Sequence, residues 1–106
     1  MPSELAHLAT RFFAAARALA WHTGSLQERL ADAYADHLLS LTGDALPPEL
    51  QPAFRELEER LTQAPPDTTV DDPFQAATRA MSDDEARALI ERILLLYGRL
   101  AGAATA

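Results

Sequence analysis

The chain is predicted to fold as an all-α, single-domain antiparallel helical bundle of four main helices plus one short helix. Three observations predict it. Apolar residues recur at intervals of three and four over most of the length. Strand-like alternation is almost absent. Two capping sequences, Ser25-Leu26-Gln27-Glu28 and Ser82-Asp83-Asp84-Glu85, stand where a serine and a glutamate three residues later can satisfy each other's backbone donors. With 106 residues, 48% of them hydrophobic and 24% charged, the chain suits one globular domain rather than a disordered segment.

The first helix is expected over about residues 3–21, with Ser3 as its cap and Leu5, Leu8, Phe12, Ala16 and Leu19 on its core face. Gly24 supplies the permissive backbone a helix end needs, and the first capping box opens a second helix at about 25–41. Its inward stripe is Leu26, Leu30, Ala33, Tyr34, Leu38 and Leu41. The stretch TGDALPP ends it. A third helix, about 49–63, carries Leu50, Ala53, Phe54, Leu57 and Leu61. Pro52 bends or delays its first turn, and Glu56 and Arg60 have i,i+4 spacing for an ion pair. TQAPPDTTVDDP reads as a loop. Asp72-Pro73 then starts a short helix over 73–81 through Phe74, Ala77 and Met81. The last helix, about 83–101, turns Ala86, Leu89, Ile90, Ile93, Tyr97 and Leu100 inward.

Composition narrows the chemistry. There is no cysteine, so disulfides, thiolate metal sites and thiol nucleophiles are excluded together. All nine basic residues are arginine, which with the abundant alanine fits GC-rich bacterial coding. The N-terminus lacks the order of a signal peptide, and LIERILLLYGRLAGA, the most apolar stretch, carries three charges, so a cytoplasmic protein without a membrane span is expected. The net charge of −7 is uneven: about −1 over residues 1–43, −8 over 44–91 and +2 over 92–106. A phosphate backbone would be repelled by the middle band. The last helix begins with three acids, which argues against a DNA-reading helix.

The histidines are the residues most suggestive of a site. Glu4-Leu5-Ala6-His7 spells the E-x-x-H of carboxylate-bridged metal bundles, but such sites need it twice, together with carboxylates from two further helices. Here it occurs once, and at roughly 100° per residue His7 points away from the core face. His22 falls at the end of the first helix, where a cation complements the dipole. His37 falls inside the apolar stripe of the second. Three histidines on three faces do not converge, so no metal and no cofactor is expected. Asp32 and Asp36 fall on the polar side of the second helix, and Asp71-Asp72 and Asp83-Asp84 at helix starts, which are structural placements. No nucleophile elbow, oxyanion loop or phosphate-binding glycine motif is present. An enzymatic or ligand-binding reading therefore rests on a pocket around Tyr34, His37 and Tyr97.

Two surfaces are more apolar than a monomer requires. On the first helix, Ala14, Ala18 and Trp21 lie opposite the leucine stripe, flanked by His7, Arg11 and Arg17. On the last, Leu95 lies opposite the core face, Gly98 and Gly102 are near it, and Leu94 and Leu96 widen the apolar arc. Small residues admit a close helix, and an aromatic beside arginine is a common interface composition. The expectation is a small helical protein acting through protein–protein contact, as an oligomerising scaffold, regulator or accessory factor, with a homodimer or a protein partner covering Ala14, Ala18, Trp21 and Leu95.

Overall fold

α1 runs from Pro2 to Trp21, α2 from Leu26 to Ala33, α3 from Gln51 to Thr62 and α4 from Asp83 to Thr105 in a computed structural model that describes residues 2–62 and 77–105. Helix is the regular structure of the described residues, with no strand among them, so the molecule is the all-α bundle its periodicity predicts. The predicted short helix lies partly outside the described residues; residues 77–79 are helical, and Ala77 and Met81 are buried.

α4 is the central element. α1, α2 and α3 all pack on it, and α1 does so most extensively. Phe12 of α1 and Phe54 of α3, both 0% exposed, meet edge to face across the core with ring centroids 6.0 Å apart. Around that pair close Leu8 and Leu19, Leu30 and Leu38, Leu57 and Leu61, and Ile93, Leu96 and Leu100. Each such burial contributes roughly 1.5–3 kcal/mol against the entropy of ordering the chain.

Several expectations are corrected. Ala15 is buried where Ala16 was expected, and Ala16 is half-buried. Leu8, Phe12 and Leu19 fix the centre of the face, and at roughly 100° per residue Ala15 lies nearer that centre than Ala16. Leu96, expected to widen the apolar arc, is buried at 1% exposure because three- and four-residue spacing sets it in line with Leu89, Ile93 and Leu100, whereas Leu94 and Leu95 stay exposed. α4 runs past Gly102 to Thr105, since Ala101 and Ala103 on either side favour helix strongly enough to carry that glycine. α1 begins at Pro2, one residue ahead of its expected cap. A 3₁₀ turn at Pro48–Leu50 precedes α3, so the start near Pro52 is indeed irregular.

The ion pairs of α3 also differ from the expected intrahelical one. Glu56 pairs with Arg92 at 3.0 Å and Arg60 with Glu85, so both tie α3 to α4 instead of to each other. Ser82 caps α4 by accepting from the Glu85 amide, while the Glu85 carboxylate is engaged by Arg60. The first capping box is complete: Ser25 Oγ accepts from the Glu28 amide at 3.1 Å and the Ser25 amide donates to Glu28 Oε1 at 3.0 Å. Those bonds hold the Glu28 carboxyl below its ordinary range.

Gly24 is needed for a different reason from the one its position suggests. No described residue has positive φ, so its backbone is one that other residues adopt. A Cβ there would stand 2.7 Å from His22 Cε1 and 3.0 Å from Glu28 Oε1. Neither neighbour can withdraw freely. The Gly24 amide donates to His22 Nδ1 at 2.8 Å, and the opposite nitrogen, Nε2, meets Asp32 Oδ2 at 2.6 Å. An alanine at this corner is therefore expected to cost about 1–3 kcal/mol of unfolding free energy, as overpacking does. Urea titration of Gly24→Ala checks it; an unchanged midpoint would show that the corner opens without resistance.

Candidate functional site

α2 continues beyond Ala33 through one irregular turn, and that turn sets the site. From Tyr34 to Leu38 the helix makes one wide π-type turn, in which the Leu39 amide donates to the Tyr34 carbonyl at 2.9 Å. Such turns are uncommon and recur at functional positions. Each residue of a wider turn advances less around the axis than in an α-helix. His37, expected inside the core stripe, is thereby carried outward and is half-buried, while Tyr34 and Leu38 stay inside.

His37 comes out beside α1. Its carbonyl accepts from Arg11 Nε at 3.0 Å, and Arg11 Nη2 also donates to Ser40 Oγ, so Arg11 is clamped over the end of α2. On the outer side of α1, a groove of about 550 Å³ is lined by Thr10, Phe13, Ala14, Arg17, Ala18 and Trp21, with His37 contributed by α2. Two parallel rows of α1 build it. Thr10, Ala14 and Ala18, spaced by four, are small; Phe13, Arg17 and Trp21, also spaced by four, are large. Thr10 turns its hydroxyl onto the Ala6 carbonyl at 2.9 Å, which spends its donor within the helix. Arg17 lies over the Trp21 ring, 4.5 Å from its centroid, and Trp21 is 72% exposed. Phe13 is braced from behind, its ring 5.8 Å from that of Tyr97.

Three of the residues expected at an interface, Ala14, Ala18 and Trp21, are thus brought together, and His37 of the expected pocket joins them. Leu95 is elsewhere: it lines a second groove with Ala53, Ala88, Glu91 and Arg92 between α3 and α4. The expected trio of Tyr34, His37 and Tyr97 is not gathered around this groove. Tyr34 is 2% exposed, and Tyr97 reaches the groove through the ring of Phe13. Phe13 and Thr10 are the lining members that the sequence reading did not single out; of the residues expected to flank the face, Arg17 lines the groove, whereas His7 lines another and Arg11 is engaged by the His37 carbonyl.

The other histidines have separate surroundings. His7 lines a third groove with Glu4, Leu8, Leu41 and Ala45. His22 has both ring nitrogens occupied; because a backbone amide only donates, Nδ1 accepts and the ring proton sits on Nε2, facing Asp32. That pair braces the corner between α1 and α2 and has no nitrogen left for a substrate. Among the described residues no cluster of histidines and carboxylates could hold a metal ion, and no helix is long and apolar enough to cross a membrane.

Tyr34 has a measurable consequence of its own. Burial, with the Glu58 carboxylate adding to it, pushes its hydroxyl up to about 12, and burial also raises the Glu58 carboxyl. Below about pH 10 the phenol is neutral in both the folded and unfolded chain, and it makes no difference to the pH dependence of stability. Above that the unfolded chain releases the proton first, so stability should fall by on the order of 1–2 kcal/mol as the pH approaches 12. Tyr34→Phe is expected to flatten this decline. Denaturant titrations at pH 8 and pH 11.5 check it; equal slopes in the two proteins would contradict the assignment.

Compared with protein-family models, curated proteins and solved structures, the chain matches none, so the groove is read from its own residues.

Proposed function

We propose that this protein works by protein–protein contact, as a small accessory or regulatory subunit of the cytoplasm that presents the outer face of α1 to a helix of another chain. The observation that carries the reading is the pairing of the two rows on α1. A row of small side chains beside a row of large ones, both at four-residue spacing, is the groove into which the ridge of a second helix packs at a crossing angle of roughly −50°. Trp21 and Phe13 supply the aromatic anchors that dominate such contacts, and Arg17 is already positioned by stacking. The absence of cysteine suits a reducing compartment.

A photo-crosslinking side chain tests this directly. Placed at Ala14 or Ala18 in cells of the native host, it is expected to give a discrete adduct with a second polypeptide. The same group at Glu59, exposed on α3, is expected to give none. Adducts of equal yield from all three positions, or from Glu59 alone, would overturn the assignment of the contact to α1.

A further inference from the structure

The charge of the groove says what should fill it. Of the seven residues that line it, Arg17 is the one with a permanent charge, and among the described residues it makes no ion pair. Arg55, Arg60, Arg87 and Arg92 each meet a carboxylate, and Arg11 and Arg29 are spent on backbone carbonyls. Arg79 and Arg99 are also exposed and make no ion pair among the described residues, but neither lines this groove; in a chain of net charge −7, Arg17 is the guanidinium that an exposed tryptophan holds at its rim. Its planar fork suits a carboxylate, and the indole beneath it fixes the direction from which that carboxylate arrives.

We infer that the occupant is an amphipathic helix of a different protein, one that places aspartate or glutamate within a turn of a bulky apolar side chain. The apolar side chain fills the space over Ala14 and Ala18 between Phe13 and Trp21, and the acid meets Arg17. A second copy of this chain is a poor occupant of the same face. Meeting face to face, it would bring another Arg17, with no carboxylate among the lining residues to receive either one, and a copy offering a different face would leave its own groove uncovered and build rings or open chains. The inference rests on the reading of this face as a protein contact.

Selection of displayed helical peptides of eighteen residues, with apolar anchors fixed at four-residue spacing and the remaining positions randomised, tests the inference on the intact chain. Retained peptides are expected to lose binding when Trp21 is replaced by alanine. They are expected to carry Asp or Glu about tenfold more often than Lys or Arg beside an anchor, and Arg17→Glu should invert that preference, as reversal of a charge pair does. The chain alone should sediment as a monomer. Peptides that need Trp21 but show no acid preference, or ignore Arg17→Glu, would overturn the acidic partner and leave the contact on α1 standing. A dimer abolished by Trp21→Ala would do the same, with a second copy as occupant. If no retained peptide depends on Trp21, both fall.

Discussion

Replacing Phe54 by alanine is expected to lower the unfolding free energy by about 3–5 kcal/mol, the usual cost of deleting a fully enclosed phenylalanine. Its ring is 0% exposed and stands edge to face with Phe12, so the cavity would open at the centre of the bundle, where α1, α3 and α4 have least freedom to collapse. Total stability for a domain of this size is roughly 5–15 kcal/mol, so a large part of it would be lost. α3 would suffer most. Apart from Phe54, Leu57 and Leu61, it is fastened to α4 by two partly exposed ion pairs, and such pairs contribute only about 0–1 kcal/mol each. Urea unfolding followed by circular dichroism gives the number. Combining the change with Phe12→Ala should show coupling of about 0.5–1.5 kcal/mol from the ring pair itself. A loss below about 1 kcal/mol for Phe54→Ala would mean that the core is not organised around these rings.

Trp21→Ala is expected to do the reverse: leave the fold alone and abolish binding. At 72% exposure the indole contributes little to burial, so stability should move within about 0.5 kcal/mol. Binding to a groove peptide should weaken by about a hundredfold or more, as it does when an aromatic anchor of an interface is truncated. Two effects combine in that loss. The indole forms one end of the groove, and it also holds Arg17, whose guanidinium lies 4.5 Å above it. Arg17→Glu should therefore weaken binding of an acidic peptide while leaving the apolar seat intact, which separates the two contributions. Titration calorimetry with the wild-type chain and the two variants measures all three. Unchanged affinity in Trp21→Ala would place the contact elsewhere.

Much of the fold was legible because leucine and phenylalanine mark a helical face strongly. Leu8, Phe12, Leu30, Leu38, Phe54, Leu57, Ile93 and Leu100 are all buried as their spacing predicts. Alanine marks a face weakly, and so Ala15 and Ala16 were interchanged. Leu96 shares the three- and four-residue spacing of Leu89, Ile93 and Leu100, so its place on the core face was legible in the residues themselves. The π-type turn at Tyr34–Leu38 leaves no pattern in residue spacing; it is a choice between two hydrogen-bond partners for one amide. Its effect on His37 was therefore invisible, and with it the meeting of His37 with Ala14, Ala18 and Trp21. Gly24 shows the same limit from another side. A glycine after a helix suggests a left-handed backbone, whereas here the demand is for space beside the His22 ring.

The groove was half legible. Periodicity set Ala14, Ala18 and Trp21 opposite the core, which is a statement about one helix. That Leu95 belongs to a separate groove, and that Arg11 is clamped to α2 while Arg17 remains without an ion pair among the described residues, depends on how helices are arranged against each other.

Quenching of the lone tryptophan tests the central claim most directly. Fluorescence of Trp21 should be readily quenched by acrylamide in the chain alone and shielded, with a shift of emission to shorter wavelength, once an acidic groove peptide is bound. An indole already shielded in the isolated chain, or one equally open to quencher in the complex, would contradict the account.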